Sequence, residues 1–491
     1  MKSIIKTPAT RAIYQHYING TFYGSVPSGD YIEVLDPCTE EIIASVPRGG
    51  QEEADAAVDA AVAAQRHWSS LPSVERAKYL KAMANTIREN RVMLAETLAR
   101  EQAKVKALAQ VEIDVTAEYY DYYAGFARAY EGEIIQSDRV GEQIFLHKLP
   151  IGVVVGICPW NFPFFVMARK VAPSMLTGNT IVVKVSEEAP LTCLEFTKLL
   201  GSVNLPKGVL NVVCGYGNEV GEALTHNKNV GMISLTGSVD SGHKVMAAAA
   251  KNITKVSLEL GGKAPAIVCE DADMEVAVNS IVASRIIYSG QVCNCAERVY
   301  VEEGVYDAFL EKLTTAMKAV KVGNASNDSG IDMSAQINQK QLDKISGMVD
   351  RAQAAGAKIA TGGKKSTSFD KGYFYEPTVI TNVKQDAEIM QKEVFGPVLP
   401  VMKVKDFDEA LKLANDSEYG LTSAVYTRDI NKMLRATKEL NFGEVYFNRE
   451  NFEAIQGFHA GWRKSGIGGA DGKHGLEEYL QTKTIYIQQT S

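Results

Sequence analysis

The stretch SGQVCNCAER, residues 289–298, sets two cysteines two positions apart behind a Gly-Gln pair. Four roles are open to Cys293 and Cys295: metal ligand, disulfide half, buried apolar filler or nucleophile. Zinc sites take about four ligands, usually from C-x2–4-C pairs. The C-x-C spacing does not fit, and no second His or Cys pair completes a set, so no metal is expected. The seven cysteines (38, 158, 193, 214, 269, 293 and 295) are scattered and odd in number. That argues against a disulfide framework and for a reducing compartment, and a cytoplasmic protein is expected. A lone intracellular cysteine is by default a small buried hydrophobe. Only its surroundings can make it a nucleophile.

Other stretches supply such surroundings. In KVSLELGGKAP, Glu259 interrupts an apolar strand, and alternation sets it on the opposite face from Leu258 and Leu260. A carboxylate among apolar residues is expected to have a raised pKa, which suits a general base near neutral pH. The alternative is a buried Glu paired with a Lys or Arg. Gly261 and Gly262 permit a sharp bend and close backbone approach. In ICPWNFPFFVMARK, Asn161 lies between Trp160 and Phe162 and is flanked by prolines. An amide held rigidly after a strand can stabilise an oxyanion; the alternative is an ordinary turn Asn.

Two further stretches suit a nucleotide. In TIVVKVSEE, Lys184 and Glu187 leave a strand end three residues apart. A carboxylate there can accept both hydrogen bonds of a ribose diol, and the lysine can reach a hydroxyl or phosphate. A solvated ion pair is the alternative. The strand GMISLT runs through Gly237 and Ser238 into the helix-like HKVMAAAAK. Its G-x4-G pattern is neither G-x-G-x-x-G nor a Walker A loop. A helix N-terminus there still offers N–H groups and a positive dipole end to phosphate, although a plain strand-to-helix turn reads the same way. A fixed amide, a buried carboxylate, a nucleotide-binding sheet and a cysteine on a Gly-Gln turn together meet the requirements for oxidising an aldehyde through a thiohemiacetal.

These residues need a scaffold to position them. Residues 51–130 show apolar spacing of i, i+3, i+4 and read as packing helices with no chemistry. From 150 onwards, short β-rich runs at 152–157, 180–185, 210–213, 231–236 and 255–260 alternate with helical runs. This pattern predicts an α/β fold with a parallel, doubly wound sheet that binds ligands beyond the carboxyl ends of its strands. A second α/β series follows, with strands at 264–270, 298–303, 376–381, 397–404, 421–427 and 443–448. GEQIFLHK (141–148) and TKTIYIQQ (482–489) alternate apolar and polar residues outside both series and read as edge strands for a subunit interface.

With 491 residues, two or three domains are expected. Hydrophobic content is 46%, charged content 23% and formal net charge −7. That balance excludes a generally basic surface, so no nucleic-acid or membrane partner is expected. MKSIIKTPATRAIYQHY is too polar for a secretory signal, and no apolar run reaches membrane-span length.

PWNFP (159–163), LELGGK (258–263), GQVC (290–293) and EVFGP (393–397) follow one another in this order. In these motifs the whole chain resembles the NAD(P)-dependent aldehyde dehydrogenases. The resemblance implies a Rossmann-type cofactor domain (1–131 and 150–260), a second α/β catalytic domain (261–475) and oligomerisation strands (132–149 and 476–491). It implies a homo-oligomer, dimer or tetramer, with NAD preferred to NADP. Cys293 matches the nucleophile, Glu259 the base and Asn161 the oxyanion amide. Lys184 and Glu187 match adenosine-ribose contacts, Gly237 and Ser238 the pyrophosphate loop, and Glu393 the nicotinamide-ribose carboxylate. Pro159, Trp160 and Phe395 join the cofactor set, and Cys295 becomes a packing neighbour.

A closer resemblance is to members acting on small hydroxyaldehydes such as lactaldehyde and glycolaldehyde. It rests on YEGEIIQSDR (130–139), NFPFFVMARK (161–170), SGQVCNCAERVYV (289–301) and the segment 448–476. Arg169, Asn294, Glu453 and His459 are the implied substrate residues; the alternative is that Arg169, Glu453 and His459 only pair with one another. A semialdehyde substrate gripped by Arg169 is the rival reading. Val185, Ala103 and MSAQIN (333–338) depart from the family pattern.

Overall fold

The computed structural model describes residues 12–23 and 30–490. Residues 1–11, which hold most of the polar N-terminal stretch, lie outside the described residues, as does Ser491. Five apolar runs form parallel strands in the spatial order Lys255–Glu259, Val230–Thr236, Val153–Ile157, Thr180–Lys184 and Leu210–Val213. Chain order reverses between Val153–Ile157 and Val230–Thr236. Such a switch point opens a crevice beyond the carboxyl ends of the strands. The loops leaving these two strands are Cys158–Asn161 and Gly237–Ser238.

Both faces of this sheet are covered, which explains the near-continuous apolar strands. Val154, Ile181 and Val183 pack into one core cluster, with Leu80, Ile113 and Met167 from the helices. Val153, Val155 and Val182 point into the other, with Val58 and Val245. The sheet is wider than the expected five strands. His16–Ile18 and Thr21–Tyr23 extend one edge, and Gly466–Ile467 pairs antiparallel with Lys255–Glu259 at the other. Runs of two or three residues are too short to carry a periodicity.

The six strand-like runs of the second series lie in one seven-stranded sheet, joined by Lys358–Thr361 at an antiparallel edge. The outlying strands Glu142–Pro150 and Leu480–Gln488 pair with each other over nine residues, and Glu133–Ile135 adds a third strand. Ile134, Tyr486 and Ile487 are exposed on this ribbon. A small sheet of Ala12–Ile13, Ile42–Pro47 and Tyr31–Leu35 completes the β structure. Among the described residues, no helix is long and apolar enough to cross a membrane.

Residues 51–125 form four helices, Gln51–Ser70, Ser73–Glu89, Arg91–Gln102 and Lys106–Gly125. The third ends at Ala103, which is left-handed at φ 52°. Glycine adopts this conformation at no steric cost, whereas Ala103 is strained there.

Candidate active site

Asn161 stands between a strand end and the helix Pro163–Leu176, whose first residue is a proline. Its carbonyl accepts from Lys104 Nζ at 2.7 Å and from Gln102 Nε2 at 3.1 Å. Lys104 is fully buried against Glu112, 2.5 Å away. Glu112 Oε1 in turn accepts from the backbone N–H groups of Phe164 and Phe165 at 3.2 Å. A carboxylate from a distant helix thus caps the first turn that follows Asn161. The 51–125 helices, expected to have no part in the chemistry, hold the amide loop in place. The Asn161 Nδ2 donates to the Gln291 carbonyl at 3.0 Å and ties that loop to the cysteine segment.

The cysteine segment is held in a costly backbone conformation. Tyr288, Ser289 and Gly290 are successively left-handed, at φ 43°, 55° and 78°. Non-glycine residues pay roughly 1–2 kcal/mol each for this. The segment 333–338 holds it: Ser289 Oγ donates to the Ser334 carbonyl at 2.7 Å, and Ile337 N–H donates to Gln291 Oε1 at 2.9 Å. The departure MSAQIN therefore braces the turn before Cys293. A side chain at Gly290 would lie 2.2 Å from the Gly396 carbonyl oxygen, so glycine is required there. Cys295 is fully buried with Tyr288 and Val292, and burial pushes its thiol up to about 12. Cys293 is half-buried. Burial raises its pKa above the ordinary thiol value, and His459 offsets only part of the rise.

Glu259 ends its strand opposite Gly466, with Leu258 and Leu260 in the core on the other face, as alternation requires. Its Oε2 accepts from Thr236 Oγ1 at 2.9 Å and faces Arg169 Nη1 at 3.4 Å. Its expected raised pKa is corrected. Burial pushes the carboxyl up, but Arg169, Lys170, His459 and Thr236 outweigh it and hold the group below the usual range. The apolar neighbours in sequence are not the neighbours in space. Gly261 and Gly262 fit a close approach: a Cβ on Gly261 would lie 2.5 Å from Glu393 Oε2, and one on Gly262 would lie 2.6 Å from the Cys293 carbonyl oxygen. Gly262 N–H donates to Glu393 Oε1 at 2.8 Å, and burial raises Glu393 to about 7.

Arg169 is the hub of a buried charge cluster. Its Nη2 reaches Glu453 and Asp471 at 2.8 Å each, and its Nε lies 3.4 Å from the Tyr119 hydroxyl. Asn294 Nδ2 donates to the other Glu453 oxygen at 2.5 Å. His459 does not pair with Arg169; its Nδ1 lies 2.8 Å from Glu444 Oε1. The sequence reading missed Asp471, Tyr119, Lys104, Gln102, Glu112 and Glu444. Only the Gly-rich setting of Asp471 marks its position as unusual, and its φ of 72° confirms a glycine-like backbone.

At the switch point, Lys184 and Glu187 pair at 2.5 Å beyond their strand. Val185 N–H donates to the Val213 carbonyl at 3.2 Å, a bond a proline at this position could not make. Ser238 caps the helix Val239–Asn252, with its Oγ accepting from Ser241 N–H, and Gly237 N–H donates to the Glu259 carbonyl at 3.0 Å. Trp160 and Phe395 meet edge to face at 5.4 Å.

A doubly wound sheet with a cysteine, an amide and a carboxylate gathered near its switch point defines an oxidoreductase acting on aldehydes. The chain belongs to the aldehyde dehydrogenase family, whose profile matches residues 25–485. It is 54% identical to lactaldehyde dehydrogenase of Escherichia coli (strain K12) over 96% of this chain and 98% of that protein. The crystal structure of lactaldehyde dehydrogenase from Escherichia coli superposes with a TM-score of 0.96, covering 98% of this chain and 100% of that one, at 53% identity. D-glyceraldehyde dehydrogenase (NADP(+)) of Picrophilus torridus is 39% identical over 96% of this chain and 95% of its own length. Betaine aldehyde dehydrogenase from Staphylococcus aureus, in complex with NAD+, superposes with a TM-score of 0.94 at 37% identity, covering 96% of this chain and 94% of that one.

The family uses NAD(P). The residues at the switch point fit such a cofactor. Gly237 and Ser238 open a helix N-terminus, Lys184 and Glu187 leave the adjoining strand, and Glu393 sits over a glycine pair with no room for a side chain.

Proposed function

We propose that this chain oxidises small hydroxyaldehydes, lactaldehyde to lactate and glycolaldehyde to glycolate, with NAD as cofactor. The observation that carries the reading is the polar cluster of Arg169, Glu453 and Asn294, joined by contacts of 2.8 and 2.5 Å, with Asn294 next to Cys293 in the chain. Buried polar groups reward a substrate hydroxyl that can pair with them and penalise an apolar analogue. The similarity to lactaldehyde dehydrogenase supports the same reading. A semialdehyde with a distal carboxylate suits this cluster less, because Glu453, Asp471 and Glu259 already surround the Arg169 guanidinium.

In this mechanism the Cys293 thiolate attacks the aldehyde carbon. The Asn161 side-chain amide and the Cys293 N–H hold the oxygen as it becomes anionic. NAD, which Lys184, Glu187, Gly237, Ser238 and Glu393 would hold, would supply the hydride acceptor. Glu259 then takes a proton from water, which opens the Cys293 thioester and releases the acid.

NAD is favoured because the Glu187 carboxylate suits a ribose diol and repels a 2′-phosphate. The pairing of Lys184 with Glu187 keeps that lysine from a phosphate. The exposed apolar residues of the 133–150 and 480–488 ribbon support a homo-oligomer built through its edges. A steady-state panel of lactaldehyde, glycolaldehyde, propionaldehyde and succinate semialdehyde, each with NAD and NADP, tests the reading. The hydroxyaldehydes with NAD should show the highest kcat/KM. Preference for propionaldehyde or the semialdehyde would overturn the substrate assignment, and equal use of both cofactors the NAD assignment.

A further inference from the structure

We propose that Asp471 is a specificity-determining residue that acts through Arg169: its carboxylate occupies the guanidinium that an anionic substrate would otherwise take, and so restricts the site to uncharged aldehydes. This role rests on the hydroxyaldehyde reading and names the residue that keeps charged aldehydes out.

The Arg169 guanidinium is enclosed. Its Nη2 meets Asp471 Oδ2 and Glu453 Oε1, each at 2.8 Å. Its Nη1 faces Glu259 Oε2 at 3.4 Å, and its Nε donates to the Tyr119 hydroxyl at 3.4 Å. The Phe165 ring covers one face, with its centroid 4.6 Å from the guanidinium carbon. Arginine grips a carboxylate best through two parallel N–H donors. Every nitrogen of Arg169 already has an acceptor, so no such pair is left for a substrate.

The three carboxylates differ in their other contacts. Glu259 also accepts from Thr236 Oγ1 at 2.9 Å. Glu453 also accepts from Asn294, the neighbour of Cys293, and its side chain is 20% exposed. The Asp471 side chain is 0% exposed, and its second oxygen accepts from the buried Tyr119 hydroxyl. Asp471 is thus closed off from solvent and bears on the site through its ion pair with Arg169. Its backbone is left-handed at φ 72°, and Gly472 follows at φ 57°. The segment is fastened on both sides: Ala470 N–H donates to the His459 carbonyl and Gly472 N–H to the Ile455 carbonyl, each at 2.8 Å. A glycine meets this backbone at no steric cost. What aspartate adds at 471 is its carboxylate.

That carboxylate is charged under assay conditions. Burial pushes it up to about 6 against the pull of Arg169 and His459, so it is ionised at about pH 8. Lys170 and His459 add positive charge on the Glu259 side of the cluster. A substrate carboxylate brought to Arg169 would be a fourth anion beside three others, which disfavours its charged form. A 2-hydroxyl carries no charge and can pair with Glu453 or Asn294 without that penalty. Discrimination of this kind comes from what a site repels as much as from what it attracts.

The test compares succinate semialdehyde with lactaldehyde in the full-length protein with NAD at about pH 8. Asp471→Asn keeps the size of the side chain and suits a left-handed backbone. The ratio of kcat/KM for succinate semialdehyde to that for lactaldehyde should rise by about tenfold or more. Asp471→Gly, which relieves the backbone and also lacks the charge, should move the ratio in the same direction. Tyr119→Phe removes a hydroxyl but keeps the carboxylate and should leave the ratio near its wild-type value. Succinate, which cannot be oxidised here, should inhibit lactaldehyde oxidation more strongly in both Asp471 variants than in wild type. Equal changes for the two aldehydes in both variants, with succinate inhibition unaltered, would overturn the role of Asp471 and leave it as a support for Arg169. A ratio shifted as far by Tyr119→Phe would overturn the charge account. A wild-type preference for succinate semialdehyde would instead overturn the hydroxyaldehyde reading.

Discussion

The carboxamide nitrogen of Asn161 lies 3.0 Å from the carbonyl oxygen of Gln291, two residues ahead of Cys293. One amide therefore ties the loop after the first parallel strand to the turn carrying the cysteine. Asn161→Ala should remove the oxyanion donor and this tether together, with kcat/KM falling by about 10²–10³. Cys293 alkylation should stay close to the wild-type rate, because the Ser289–Ser334 and Gln291–Ile337 bonds still brace its turn. Steady-state kinetics beside an alkylation time course checks this. Equal loss in both would mean that Asn161 acts only by holding the turn.

Glu259→Gln keeps the shape of the side chain but cannot take a proton from water. A burst of reduced cofactor should survive while turnover collapses by about 10²–10⁴. The depressed pKa adds a pH prediction. The base works deprotonated, so in wild type its acid limb should fall below the ordinary carboxylate pKa of about 4.3 and not near neutrality. A limb between about pH 6 and 7 that vanishes in Glu259→Gln would contradict the Arg169 and Lys170 environment.

The fold was largely legible in the sequence because strand alternation and helix periodicity are local. The two apolar faces of 153–157 and 180–184 can be read from five residues each. The residues around the site were less legible because their partners are remote. Arg169 and Asp471 are 302 positions apart, and Tyr119 and Asp471 are 352 apart. The same distance explains the wrong sign for Glu259. Its sequence neighbours are apolar, while the cations that decide its pKa stand on the helix Pro163–Leu176. Motif spacing singled out Cys293 and Asn161, yet nothing local to either motif shows the Lys104–Glu112 pair beneath the amide loop.

Arg169→Met should expose the cost of the buried cluster. It leaves Asp471 and Glu453 without their cation, and breaking one side of a buried pair costs about 3–5 kcal/mol. Denaturant midpoints at neutral pH check this loss. Among molecules that fold, the fall in kcat/KM should be larger for lactaldehyde than for propionaldehyde by about ten- to a hundredfold, the worth of about 1.5–3 kcal/mol of charged hydrogen bonding. Equal falls would show that Arg169 holds the loop together without reading the hydroxyl.

His16 gives the fold an acid-sensitive point far from the chemistry. It is buried on the strand His16–Ile18, where its Nδ1 accepts from the Cys214 N–H at 3.1 Å. Burial lowers its pKa to about 4, against a smaller opposing pull from Glu53. Between about pH 6.5 and 4 the unfolded chain therefore binds a proton that the folded chain does not. The stability this site contributes is full above about pH 6.5 and is lost as pH falls towards 4, by about 3 kcal/mol in all. His16→Asn retains a side-chain acceptor and cannot titrate. Its denaturation midpoint should fall less steeply with acid than that of wild type over this window, by about one proton's worth of slope. The difference between the two proteins isolates His16 from groups such as Glu393, whose raised pKa changes stability in the opposite sense. Parallel curves would show that the ring is already protonated in the folded state near neutral pH.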